Sequence, residues 1–534
     1  MPPEEFSRHP PAHPATFLTG WYLRMLLWAL LGILSLWLLG IEGIYGHPAP
    51  FYAAPSPAFS GLLVPGTMAL LGGAAWWLGS ARTRSRSHAR TAAGMLTLAG
   101  LLLALFYQQS GGASQWMAAW EALRWHLLAL GVFLAALTLW LYTLRRLDWW
   151  EREPGPRATA WMLLGLVLFA GIFACSVAML RGGPSGIAQA YMRSSYEYVG
   201  DIGVARGIGD LFGRYLELMP HLSMHSKVHP PGPVAFLWVL SWGVGREPMA
   251  LSLATVAVGA LAILPLYGWV HRLSGGRRFA LTTCAVYSCM PSVVLFTATS
   301  ADILFTPVTL ATLYFFTRAI QGPSAGYAAA AGAGFFALSI LKFSLLGLGI
   351  WFAFTGIYLI FWRQRWWPVM QTAALMLTAF LVLHALLWLA TGFDMVACFW
   401  AAKAQFDLDQ HHLDLLTPRL PAWAWKFLNP MAWLFFAGIP VSVLALWRIR
   451  RPDGEHRALW MLCLLTFIAL DLLYLARGEG ERSALYVFPF LALPAAHALH
   501  TLGDGLRSSA PLAATLAFLA AQTWGIEAYL YTYW

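Results

Sequence analysis

The chain has 534 residues, 59% of them apolar and only 11% charged, with a formal net charge of +10. An ordinary soluble domain is about a quarter charged, so this composition excludes a water-solvated globular core and calls for lipid as the solvent. The basic residues fall in short clusters between apolar runs, which excludes a nucleic-acid-binding tail and reads instead as a topology signal.

Apolar runs of about 20 residues recur, each long enough to cross about 30 Å of hydrocarbon at about 1.5 Å per residue. In lipid an open strand leaves backbone groups unpaired, so every run predicts a helix. The fold class is therefore all-α, a polytopic transmembrane bundle. Spans are expected near 25–42, 62–79, 91–107, 119–143, 159–180, 249–270, 278–296, 303–319, 325–341, 343–362, 369–391, 431–448, 458–475, 483–500 and 511–530, about fifteen in all. The first, from about Trp28, lacks a small-residue cleavage site and reads as a retained span. Residues 233–245 are too short to cross comfortably, and counting them as a span would put Arg272, Arg277 and Arg278 outside. They read as a juxtamembrane or re-entrant helix on the outer face. The Ala/Gly-rich stretch 322–334 predicts close helix packing.

Clusters at Arg82, Arg84, Arg86 and Arg90, at Arg145, Arg146, Arg152 and Arg157, and at Arg272, Arg277 and Arg278 place their loops on the cytoplasmic side. Those at Arg363 and Arg365, and at Arg448, Arg450, Arg451 and Arg457, agree. Loops 43–60, 108–116, 182–230 and 392–430 then face outward. Three regions follow: an N-terminal bundle of about four spans over 1–158, a central module over 159–391 that includes the outer loop 182–232, and a C-terminal part over 392–534. Five cysteines, Cys175, Cys284, Cys289, Cys398 and Cys463, lie mostly in apolar runs without ligand or disulfide spacing and read as core packing.

With so few charges, their placement is informative. The outer loop holds Tyr196-Glu197-Tyr198-Val199-Gly200-Asp201, then Arg206, Asp210, Arg214 and Glu217, then His221, His225, Lys227 and His229-Pro230-Pro231-Gly232. Glu197 and Asp201 stand four apart, so a helical turn would put both carboxylates on one face, suited to a divalent cation or to a general base. The competing reading pairs them with Arg206 or Arg214. His221, His225 and His229 also repeat every four residues, which on a helix suggests zinc. Pro230 pushes His229 out of the helical region, which favours ordinary loop hydrogen bonding.

Asp302 follows Thr297 to Ser300 at a short turn, Lys342 separates two apolar runs, and Arg477-Gly478-Glu479-Gly480-Glu481-Arg482 forms another turn. Ionisable groups at such boundaries are costly unless paired or hydrated. Lys342, Arg477 and Arg482 together could receive a phosphate; alternatively, Arg477 and Arg482 pair with Glu479 and Glu481. The stretch 392–430 carries Lys403, Asp407, Asp409, His411, His412, Asp414, Arg419 and Lys426 among Trp400, Trp423 and Trp425, aromatics that read as interfacial anchors ahead of sugar-stacking platforms.

The acidic Tyr196–Asp201 motif, the His229-Pro230-Pro231-Gly232 turn with its short apolar helix, and Asp302 at the next outer turn resemble the membrane-embedded GT-C glycosyltransferases. The likeness is to the RgtA-like, aminoarabinose-transferase and protein O-mannosyltransferase families and covers roughly 180–400. This sequence departs from their pattern in having extra spans before the acidic loop. The resemblance implies a polyprenyl-phosphate-linked sugar donor and a lipid, glycan or protein acceptor, with the active site on the outer (periplasmic or extracellular) face of a bacterial inner membrane. It implies Asp201 as the acid that activates the acceptor or orients a metal (Mg or Mn), supported by Glu197. It further implies donor-phosphate contacts from His229, Lys227, Lys342, Arg477 and Arg482, and substrate contacts from Tyr196, Tyr198, His225, Asp302 and Glu481. Transfer would invert the anomeric carbon. A multi-pass transporter or lipid flippase is the alternative, and a non-catalytic assembly subunit a third.

Overall fold

The computed structural model describes residues 113–529 except 148, 150, 181, 193–194, 323, 417–420, 452–455, 475–476 and 478–479. The spans expected near 25–42, 62–79 and 91–107, the Arg82–Arg90 cluster, loop 43–60, Arg419 and Glu479 lie outside the described residues. Among those described there is no strand, and six helices are long and apolar enough to cross a bilayer. They are Arg124–Arg146, Pro156–Ala178, Pro248–Ser274, Ala301–Gln321, Phe343–Arg363 and Trp366–Thr391, in register with the runs at 119–143, 159–180, 249–270, 303–319, 343–362 and 369–391. The chain is an integral membrane protein.

Other expected spans are shorter or bent. The run at 278–296 is two helices, Arg277–Tyr287 and Pro291–Thr299, meeting at 61°; Pro291 starts the second, where its missing N–H leaves no bond unmade. The run at 431–448 is also two helices, Trp423–Ala437 and Ile439–Arg450, turned by 109°. Gly438 between them has φ 99°, a conformation that favours glycine, so the straight span expected there is broken by its own sequence. With each bent pair taken as one span the count rises to eight. In the regions of the spans expected at 458–475, 483–500 and 511–530 lie the helices Arg457–Leu473, Phe488–Leu506 and Ala510–Tyr529.

The stretch 392–430, expected as a loop, is mostly helical. Asp394 starts Met395–Leu416 by accepting from the Val396 and Ala397 backbone N–H groups at 2.8 and 2.9 Å. Its polar residues then satisfy one another at helical spacing, Lys403 with Asp407 and Gln405 with Asp409. Polarity alone suggested a loop; four-residue pairing makes a helix of the same residues.

Packing explains where the small residues sit. Ala325–Leu341 lies between Phe305–Gln321 and Trp366–Thr391, and its Ala328, Ala331 and Gly332 are buried. Trp269, Trp351 and Phe490 join three helices, with ring centroids 5.0 to 5.8 Å apart. By contrast, only 6% of the apolar window of Trp366–Thr391 is buried, leaving that helix to face lipid. The helix expected over 233–245 runs from Gly232 to Val244. Its 13 residues reach only about 20 Å, too short to cross.

Candidate functional site: a buried ionic cluster

Between Pro156–Ala178 and Pro248–Ser274 the chain makes a series of short turns, including Tyr198–Asp201, Tyr215–Leu218 and Met224–Lys227. Glu197 precedes the first in an extended conformation, φ −100° and ψ 152°. It therefore shares no helical face with Asp201, and the two carboxylates do not act as an i, i+4 pair. Arg214 pairs with Glu217 at 3.0 Å and Asp210 at 3.7 Å, and Asp210 accepts from the Arg206 backbone N–H at 2.9 Å. These groups satisfy one another near the surface, and Glu197 and Asp201 find partners elsewhere.

Asp201 is buried and spans the loop. Its carboxylate accepts from the Ser223 N–H at 3.0 and 3.1 Å and from the Ser223 hydroxyl at 2.6 Å. Ser223 opens the turn Met224–Lys227, so Asp201 fixes the turn that carries His225. The Ser223 Oγ also lies 3.1 Å from Ser226 Oγ.

Glu197, 1% exposed, points the other way. Its Oε1 lies 3.3 Å from His225 Nδ1 and 3.8 Å from Arg482 Nη1. Arg482 Nη2 is 3.4 Å from His225 Nε2, and Arg482 Nε is 3.7 Å from Asp302 Oδ2. Lys342 Nζ completes the group, 3.1 and 3.2 Å from the two Asp302 oxygens. Two carboxylates, Glu197 and Asp302, thus face the Lys342 ammonium and the Arg482 guanidinium around the His225 ring. Buried charges persist only in such mutual company.

Local geometry holds each member in place. The Ser300 hydroxyl accepts from the Asp302 N–H at 3.1 Å, setting the turn Ala301–Leu304. Lys342 follows the last residue of Ala325–Leu341 in an extended conformation. The Ser292 hydroxyl donates to the Glu481 carbonyl, which pins the turn carrying buried Glu481 and Arg482 onto Pro291–Thr299. Gly232 explains the residue after the proline pair. A methyl there would overlap the Ile340 carbonyl oxygen, so only glycine lets the short helix start against the end of Ala325–Leu341, two residues before Lys342.

Tyr198 lies between two histidines, its ring centroid 5.9 Å from that of His225 and 6.1 Å from that of His229. Burial pushes its hydroxyl well above the usual phenol value. Burial, and then the neighbouring Lys342 ammonium, hold the His229 imidazole well below its ordinary value, so it is neutral at physiological pH. Tyr215, which drew no attention in the sequence, is fully buried and donates to the carbonyls of Ser226 at 2.5 Å and His229 at 2.9 Å. One tyrosine among nineteen carries no sequence signal for that role.

Not every expected site residue joins the cluster. Tyr196 is exposed, although its carbonyl accepts from the His225 N–H at 3.1 Å. Lys227 is half-buried at the end of its turn. Arg477 pairs with Asp414 at 2.9 Å, which separates it from the expected phosphate-binding trio with Lys342 and Arg482. Arg482 makes long-range contacts with Glu197 and Asp302. His221, His225 and His229 lie on a 3-10 turn, a separate helical turn and the segment beyond it, so they share no face. Among the described residues no group of three or more His, Cys, Asp or Glu is placed to hold a metal ion.

Residues 228–388 match the family model described as dolichyl-phosphate-mannose-protein mannosyltransferase. That segment includes His229, Asp302 and Lys342, and it ends before Arg482. No curated protein matches the chain. The family match indicates a membrane glycosyltransferase of the GT-C type, the class that the acidic motif and the proline pair resemble.

Proposed function

We propose that this membrane glycosyltransferase takes a sugar from a polyprenyl-phosphate donor and passes it, with inversion, to an acceptor hydroxyl on the non-cytoplasmic face of the membrane. The observation that carries the reading is the buried Glu197–His225–Arg482–Asp302–Lys342 cluster, which joins two residues of the matched segment to an acid, a histidine and an arginine outside it. In the proposed step the acceptor oxygen attacks the anomeric carbon and loses its proton to Glu197. The bond from that carbon to the phosphate oxygen breaks, and the phosphate leaves with the electron pair. Lys342 and Arg482 stabilise the charge developing on the phosphate, one as a compact ammonium and the other as a planar fork. His229, held neutral, offers a hydrogen bond without adding charge.

We assign the base to Glu197 and a positioning role to Asp201, because both Asp201 oxygens are engaged by Ser223. Asp201 acts through the turn that presents His225 to Glu197. Among the described residues no three His, Cys, Asp or Glu side chains gather into a metal site, so Mg or Mn would need the donor phosphate among its ligands. The acceptor is a hydroxyl of a lipid, glycan or protein, and mannosyl phosphate on a polyprenol is the first donor to try. Periplasmic chemistry at a bacterial inner membrane is part of the same proposal.

The test is sugar transfer by the full-length protein in nanodiscs, offered a panel of radiolabelled polyprenyl-phosphate sugars with membrane extract as acceptor. Wild type should transfer one of them, and Glu197→Gln should lose about 10²- to 10⁴-fold, the usual contribution of a general base. Folded wild-type protein inert toward every donor would overturn the reading and move attention to lipid translocation.

A further inference from the structure

Helix Gly349–Arg363 starts just beyond Lys342 and runs about 22 Å away from the ionic cluster. Two cavities flank it. One, of about 400 Å³, is lined only by apolar side chains and glycines; on this helix they are Phe352, Ala353, Gly356, Ile357 and Ile360, a single helical face. It holds about a dozen groups of water size, at about 30 Å³ each. The second, of about 220 Å³, meets the adjoining face through Trp351, Thr355, Tyr358, Leu359 and Arg363. Arg365 and His456 also line it, no acid lines it among the described residues, and Ile320 lines both cavities.

The two arginines keep donors to offer. Arg363 Nε donates to the Tyr358 hydroxyl at 3.0 Å and Arg365 Nη2 to the Gln321 carbonyl at 3.4 Å, while each guanidinium carries five N–H groups. Trp362, Trp366 and Trp367 beside them are 57 to 70% exposed, the position of interfacial anchors. A basic pocket between transmembrane helices, rimmed by tryptophan and adjoining an apolar cavity, complements a molecule with an anionic head and a hydrocarbon tail. We propose that this end of the bundle binds an anionic phospholipid, its headgroup phosphate on Arg363 and Arg365 and one acyl chain in the apolar cavity. The site lies at the far end of the bundle from the proposed transfer chemistry and does not depend on it.

The test is native mass spectrometry of the full-length protein released from nanodiscs made with equal amounts of dioleoyl phosphatidylglycerol and dioleoyl phosphatidylcholine. Wild type should retain phosphatidylglycerol preferentially. Arg363→Gln with Arg365→Gln should lower that preference about 30-fold, the effect of about 1 kcal/mol for each basic residue near an anionic lipid. Ala353→Phe, which keeps the charges and narrows the apolar cavity, should also lower retention. Equal retention of the two lipids by wild type, or undiminished phosphatidylglycerol in both variants, would overturn the proposal. So would thermal stabilisation by inorganic phosphate equal to that by phosphatidylglycerol, since the ligand would then be a free anion.

Discussion

Lys342 Nζ lies 3.1 Å from Asp302 Oδ2 although the residues are 40 positions apart, one just past Ala325–Leu341 and the other in the turn Ala301–Leu304. Both side chains are 6% exposed, so neither charge has water to fall back on. Lys342→Met alone or Asp302→Asn alone should destabilise the protein by about 3–5 kcal/mol, because each removes one half of a buried ion pair and upsets the charge balance of the cluster. The double variant should cost less than the sum of the two. Detergent-titration unfolding of the four proteins measures this, and additive losses would show that the pair is not coupled.

Glu197 and Asp201 are separable by experiment. Asp201→Asn should lower stability by about 1–3 kcal/mol through lost bonds to Ser223 and leave reduced but measurable transfer. Asp201→Glu should restore part of that transfer, as expected of a positioning group. Glu197→Gln should remain folded and lose transfer. A folded, inactive Asp201→Asn beside an active Glu197→Gln would return the base role to Asp201.

Gly232→Ala places a methyl against the Ile340 carbonyl. Backbone must move to relieve the overlap, which typically costs about 1–3 kcal/mol. Because Ile340 lies two residues before Lys342, the displacement should reach the ionic cluster and lower transfer as well as melting temperature. Loss of stability with full transfer would show that the close approach does not position Lys342.

His229 sets a pH dependence whose sign follows from its lowered value. The folded protein leaves the imidazole unprotonated, whereas the unfolded chain binds the proton as pH falls through about 6.5. The stability contributed by neutral His229 is complete above that pH. It is lost by about 1.4 kcal/mol per pH unit on further acidification, until the folded value is reached. Unfolding at pH 7.5, 6.5 and 5.5 should show this slope, and His229→Gln should flatten it; an unchanged slope would assign the proton to another group.

Much of this protein was legible in its residues taken one stretch at a time. Six apolar runs became helices of spanning length, and residues 232–244 became a short helix, because helix formation in lipid depends on local apolarity and on backbone bonds within the segment. Glu197, His225, His229, Asp302, Lys342 and Arg482 could be singled out because ionisable groups are scarce in such a chain. Their pairing could not. Arg482 meets His225 across 257 positions, Arg477 is drawn to Asp414 across 63, and Asp201 turns to Ser223 across 22. Each contact depends on how separate segments pack, and neither spacing nor composition contains that information. The same holds for Met395–Leu416, whose polar residues indicated a loop until a cap at Asp394 and pairs four residues apart made a helix of them. Sequence by itself determined the solvent, the helices and the short list of charges. Tertiary structure decided which charges meet, because a buried charge is tolerated only where distant segments bring it a partner.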